Sequence, residues 1–198
     1  MDTVIIQKYL EELNSVESSY DFQLLLDDWK IKAEAGDETI WFLFKKIVSD
    51  LTLDSSLWNS KSNLSVGIFY ILIDIGNDKA YDLAKWFIEN CKEDTPTGAI
   101  ELVSTLIPSF QKINIPAFFS YLKSENKAQS AIGFLTLFNL SMERKLALEF
   151  EKDLFQISKT YNNDYYYIGH IIDLIHFKFQ KFETSNSESD KIDIQLVG

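Results

Sequence analysis

A single cysteine, Cys91, excludes an intramolecular disulfide and a cysteine-ligated zinc cluster. Seven glycines and three prolines are too few for a sandwich or barrel, which needs a turn about every 8–12 residues. Their scarcity points to long helices instead. Arginine occurs once, as Arg144. No fully apolar run approaches the roughly 20 residues of a membrane span. The opening MDTVIIQKYLEEL also lacks the pattern of a signal peptide, so a cytoplasmic protein is expected. What is present is ordinary globular material. Of the 198 residues 46% are hydrophobic and 25% charged, enough apolar content to build a core and to argue against a disordered chain.

The formal net charge is −11. Nucleic-acid binding rests on lysine and arginine neutralising phosphates, with arginine forks reading bases, so an acidic chain with one arginine is a poor candidate. An anionic membrane would repel it too, whereas a basic protein partner would be attracted. The charge is uneven. Residues 1–101 carry nineteen acids against nine lysines, while residues 102–198 carry eleven acids against ten bases. The densest stretch, Glu11 to Glu38, holds nine acids against Lys30 and Lys32. Such asymmetry suggests an interaction face, although a solvated surface would look the same.

Helical periodicity recurs along the whole chain. The pattern predicts a first helix over Thr3–Asn14. A second follows the serine-rich SVESSYDF and runs to about Ala35, with Gly36 as its stop. Its stripe is Phe22, Leu25, Leu26, Trp29 and Ala33. A third starts near Asp37 and buries Ile40, Phe44, Ile47, Val48 and Leu51. LDSSLWNSKSN reads as a polar connection, and Leu64 to Ile75 as the next helix, ended by Gly76-Asn77. Two segments follow i, i+3, i+4, i+7 closely: Ala80, Leu83, Ala84, Phe87, Ile88, Cys91, and then Ala99, Leu102, Val103, Leu106, Ile107, Phe110. Pro108 predicts a kink or early end in the latter. A short helix is expected from Pro116. An inner helix is expected over Lys127–Leu140, apolar almost all round. An amphipathic helix over Glu143–Ser158 and a last one from Asn163 to about Phe182 complete the set. The tail from Thr184 to Gly198 is polar and then alternating, outside a single helical domain of residues 1–183.

The expected fold class is therefore all-α, with about nine to ten helices, either an irregular solenoid or a bundle. Paired helices recur at roughly 35–40 residues, over 37–75, 78–113, 116–140 and 143–182. That spacing resembles degenerate α-solenoids of the HEAT type over about three quarters of the chain. The resemblance is one of period and helix length, without a residue-level repeat.

Chemistry-bearing motifs are absent. No glycine-rich phosphate loop, nucleophile elbow or His-Glu-x-x-His zinc helix occurs. His170 and His176 are six residues apart, about 120° around a helix, so they do not converge as metal ligands. Adjacent carboxylates such as Glu11-Glu12 and Asp27-Asp28 diverge on a helix and form no proton-sharing pair by themselves. Cys91 completes an apolar stripe and is expected to be buried. Neither a catalytic site nor a metal or other cofactor is expected.

Aromatic residues offer more. Trp86 lies about 140° off the stripe of its helix, beside Asp82 and Glu89, and so either packs on a neighbouring helix or anchors a partner. Phe42 is off its stripe in the same way. Tyr165, Tyr166 and Tyr167 cover too much of a helix for one apolar face. Leu148 and Phe155 form a second face of their helix and are expected in the core. The candidate partner-binding residues are Glu11, Glu12, Asp27, Asp28, Glu34, Asp37, Glu38, Asp82, Trp86 and Glu89. A small, acidic, motif-free chain rich in Lys, Ile, Asn and Phe resembles the immunity proteins of bacterial toxin systems. That resemblance implies a non-enzymatic protein that caps a cognate toxin with an acidic, aromatic-containing surface. A helical-repeat scaffold or regulator with no toxin partner is the alternative, and an enzyme assembled from scattered carboxylates and a histidine is the third.

Overall fold

The computed structural model describes residues 3–16, 18–163 and 168–179. Every regular element among them is helical. The α-helices are α1 (Thr3–Asn14), α2 (Ser19–Glu34), α3 (Glu38–Leu53), α4 (Leu57–Ser60), α5 (Ser62–Ile75) and α6 (Asp78–Asn90). They continue with α7 (Thr97–Leu106), α8 (Ile115–Leu122), α9 (Lys127–Met142), α10 (Leu148–Ser158) and α11 (168–179). The expected all-α bundle is thus the observed one. None of these helices is long and apolar enough to cross a membrane.

Short polar side chains start several of these helices by taking up backbone N–H groups that have no partner within the helix. The Ser18 hydroxyl accepts from the Asp21 N–H, and the Asp37 carboxylate from the Thr39 N–H. The Asn77 and Asn126 side-chain carbonyls do the same for Ala80 and for Ala128 and Gln129. Gly36 and Gly76 follow α2 and α5 with φ of +87° and +62°, the left-handed geometry that a side chain disfavours.

Packing runs between helices close in sequence: α1 and α2 on α3, α2 on α5, α3 on α6, α5 on α6 and α7. The inner helix is α9, which meets α6, α7, α8 and α10. Ala131, Ile132, Phe134, Leu135, Leu137 and Leu140 bury its whole circumference, as its sequence predicts. Gly133 lets α8 approach closely. A β-carbon there would stand 2.9 Å from the Phe118 carbonyl oxygen and 3.0 Å from the Leu122 nitrogen. Polar ties fix the register. The Asn126 amide donates to the Cys91 carbonyl at 2.7 Å, and that of Asn139 to the Ser104 carbonyl at 3.0 Å. At the far end the Lys178 ammonium donates to Glu151 at 2.6 Å and to the Ser141 carbonyl and hydroxyl at 3.0 and 2.6 Å, fastening α11 to α9 and α10.

Four expectations need correction. The stretch read as a polar connection contains α4, and Trp58 within it is core. Its ring lies 5.8 Å from Phe69 and 5.5 Å from Phe87, and its indole N–H donates to the Leu51 carbonyl. Hydrophilic neighbours mask one large apolar anchor there. In α7 the buried side includes Ile100 and leaves Leu102 half-buried, because α7 is gripped by α5 and α9 together. The helix expected from Glu143 starts at Leu148 instead. α9 runs on to Met142 and closes with Arg144 at φ +59°, the Lys145 N–H bonding back to the Leu140 carbonyl at 2.8 Å. That turn uses up residues 143–147 and leaves Leu148 on the first turn of α10, 59% exposed rather than in the core. Phe155 does pack, stacked on Phe179 with ring centres 4.6 Å apart. The early end at Pro108 is observed as a 3₁₀ turn over Ile107–Ser109. Tyr165, Tyr166, Tyr167 and the tail from Thr184 to Gly198 lie outside the described residues.

Candidate functional site

α3 and α6 pack side by side, and each presents four residues spaced i, i+3, i+4, i+7. From α3 come Glu38, Trp41, Phe42 and Lys45; from α6 come Lys79, Asp82, Leu83 and Trp86. On a helix that spacing is one continuous face. The two faces enclose a groove of about 270 Å³. Its walls are mainly apolar. Trp41 is almost wholly buried, its indole N–H donating to the Ala33 carbonyl at 3.2 Å. Phe42 is 42% exposed, and Trp86 is half-buried against the core.

Charge at the groove is partly spent within the chain. The Lys79 ammonium sits 2.8 Å from both Glu38 carboxylate oxygens and 5.1 Å above the Trp41 ring, closing one end. Asp82 and Lys45 make no ion pair among the described residues and leave one charge of each sign on the rim. No thiol, imidazole or hydroxyl lines the groove. Such a cleft can hold an apolar or aromatic side chain of another molecule. It is floored by rings that lose little entropy on contact and edged by two charges able to set orientation.

The sequence-derived candidates fall into three places. Glu38, Asp82 and Trp86 come together in this groove. Glu89 stands one turn beyond Lys85, which approaches it at 3.3 Å, and accepts the Tyr121 hydroxyl at 3.0 Å. Burial and the neighbouring Glu89 carboxylate push the Tyr121 phenol above its ordinary range. Glu11, Glu12, Asp27, Asp28 and Glu34 lie along α1 and α2. Gln7 donates to Glu11 at 3.3 Å and Gln23 to Asp27 at 3.0 Å. Lys32 approaches Asp28 at 2.6 Å, and Lys30 is paired with Asp74 and lies 3.9 Å from Glu34. Hydrogen bonds to Asp74 and Asp28 hold the Lys30 and Lys32 ammonium groups above the usual lysine range. Asp37 is occupied as the cap of α3.

Sequence reading missed Trp41, Lys45, Lys79 and the outward edge of Leu83. The signal was available in the matched spacing on two helices, with an acid at the head of one and a lysine at the head of the other. The remaining candidate groups are placed as follows. His170 is exposed, whereas His176 bonds the Ser158 hydroxyl at 3.1 Å and stands edge-on to Phe155. Cys91 is buried and bonds the Ile88 carbonyl, and burial pushes its thiol up to about 12. Among the described residues no three His, Cys, Asp or Glu side chains gather as a metal site requires. In comparisons with protein-family models, with curated proteins and with solved structures, no match to the chain is found.

Proposed function

We propose that the chain is a non-enzymatic protein-binding protein, and specifically an immunity protein that neutralises a cognate bacterial toxin in the cytoplasm by covering it. The α3–α6 groove carries this reading. Two exposed or half-exposed rings, Phe42 and Trp86, border an apolar cleft with an unspent carboxylate and an unspent ammonium at its rim. Tryptophan and phenylalanine at the centre of a patch, ringed by polar groups, are the composition of a protein interface. The volume suits one or two partner side chains better than a drug-sized ligand, which needs a pocket of about 300–1,000 Å³. The toxin assignment adds the net charge of −11, which favours a basic partner, and the likeness in size and helical pattern to immunity proteins.

The test is co-expression with the product of the neighbouring gene. Growth should be rescued, and the two proteins should form a complex. Trp86→Ala should raise Kd by about thirtyfold or more, mainly through faster dissociation, the effect of losing a ~2 kcal/mol anchor. Denaturation of the same variant separates an anchor from a packing residue. Association without rescue would favour the scaffold or regulator. A complex indifferent to Phe42→Ser and Trp86→Ser would remove the groove.

A further inference from the structure

The outer face of α2 carries three large exposed apolar side chains among its polar ones. Tyr20, Leu24 and Ile31 are 72%, 49% and 64% exposed. At about 100° per residue they fall within some 40° of one another, so they form a single stripe along the helix. Asp27 lies on that stripe, and Asp28 and Glu34 flank it. The opposite stripe, Leu25, Leu26, Trp29 and Ala33, is already buried. Beside its buried stripe, α2 therefore presents three exposed apolar side chains interrupted by Asp27.

The charge beside the unused face is net negative. A hollow of about 540 Å³ between α1 and α2 is lined by Glu12, Asp21 and Asp28 with Leu24, Leu25, Ser15 and Val16, and by no lysine. The two lysines of α2 point away from the stripe and are engaged: Lys30 with Asp74 and Glu34, and Lys32 with Asp28 and over the Tyr9 ring at 5.2 Å. Two occupants are disfavoured by charge. A second copy would set carboxylates against carboxylates. The chain's own tail from Thr184 to Gly198 carries Glu188, Asp190 and Asp193 against Lys191.

We propose that this face of α2 docks a basic amphipathic helix of the partner protein, whose apolar side chains lie along Tyr20, Leu24 and Ile31 and whose lysines or arginines reach Asp27 on the stripe and Glu12 and Asp21 in the hollow, Asp28 being already paired with Lys32. This surface rests on the protein-binding reading and adds to it the chemistry of what is bound. Helix-on-helix recognition uses apolar anchors that recur along one stripe, here at i, i+4 and i+11, and cations beside them fix orientation and speed encounter.

The experiment titrates the full chain with a synthetic leucine–lysine peptide whose leucines fall at i, i+3, i+4 and i+7. A peptide of the same composition with its leucines spread around the helix is the control. The amphipathic peptide should bind at least about tenfold more tightly than the control, and Leu24→Ser with Ile31→Ser should remove most of that difference. Glu12→Gln with Asp27→Asn should weaken binding and flatten its salt dependence. Trp86→Ala, in the other groove, should leave it unchanged. Circular dichroism confirms that each variant remains folded, which the exposure of the altered side chains favours. Equal binding of the two peptides, or indifference to Leu24→Ser with Ile31→Ser, would overturn the proposal. The toxin reading is judged separately by rescue. A partner that is captured, loses affinity on Trp86→Ala and ignores the α2 variants would leave that reading standing and the α2 surface refuted.

Discussion

Replacing Gly133 by alanine measures how tightly α8 is seated on α9. In an ordinary exposed helix the change would stabilise by roughly 0.5–1 kcal/mol, because alanine loses less backbone entropy than glycine. Here the new methyl would lie 2.9 Å from the Phe118 carbonyl oxygen, 3.0 Å from the Leu122 nitrogen and 3.0 Å from the Tyr121 β-carbon. Backbone atoms cannot rotate out of the way, so α8 must retreat as a body, and it carries Phe118, Tyr121 and Leu122 out of the core with it. Overpacking of that kind costs about 1–3 kcal/mol, and because the closest contacts are backbone atoms the upper part of that range, about 2–3 kcal/mol, applies and leaves a net loss of roughly 1–2 kcal/mol after the propensity gain. For a chain of this size that is a fall in Tm of about 2–8 °C. Two controls bracket it. At Gly98 a β-carbon would meet nothing within 4 Å, so Gly98→Ala should be neutral or stabilising. At Gly67 its nearest contact would be a δ-carbon of Leu26, 2.5 Å away, at the end of a side chain that can turn aside; Gly67→Ala should fall between the two. Urea unfolding followed by tryptophan fluorescence suits the series, since Trp29, Trp41 and Trp58 are buried and report loss of packing. Equal or greater stability for Gly133→Ala than for the parent chain would refute the close α8–α9 contact.

Two further outcomes are expected. Lys178→Met should destabilise by roughly 2–4 kcal/mol, because it strands the buried Glu151 carboxylate, and adding Glu151→Gln should restore part of the loss in denaturant titration. The Cys91 thiol, pushed up to about 12, keeps its proton in the fold while the unfolded chain loses its own near pH 8.5–9. Stability should therefore fall as pH rises from about 9 toward 12, by about 1–2 kcal/mol at pH 10 from this group, and Cys91→Ala should show a shallower alkaline slope. A thiol reagent that modifies Cys91 at pH 8 as fast in the native protein as in denaturant would contradict its burial.

The candidate site was half legible. Trp86 and Phe42 stood out because each breaks the period of its own helix, and that is a local property. Their meeting in one groove is not local. It depends on α3 and α6 lying side by side although Phe42 and Trp86 are 44 residues apart, and nothing in either segment names the other. The acids illustrate the opposite error. Glu11 through Glu38 read as one dense run, yet the fold spends Asp37 on a cap, Glu38 on Lys79 and Asp28 on Lys32. Charge density along a chain says nothing about which carboxylates find an internal cation.

The sequence by itself determined that the chain is helical and where most helices begin, since apolar spacing, caps and the glycine stops act within a turn or two of the backbone. It also set the inner position of α9, because a helix apolar on all sides has nowhere stable to lie except among others. Only the tertiary structure decided that Trp58 is core, that Leu148 is surface, and that Tyr20, Leu24 and Ile31 of α2 are exposed among the described residues. Those outcomes depend on which face meets which neighbour, and that is settled by the summed packing of several helices at once rather than by the preference of any one of them.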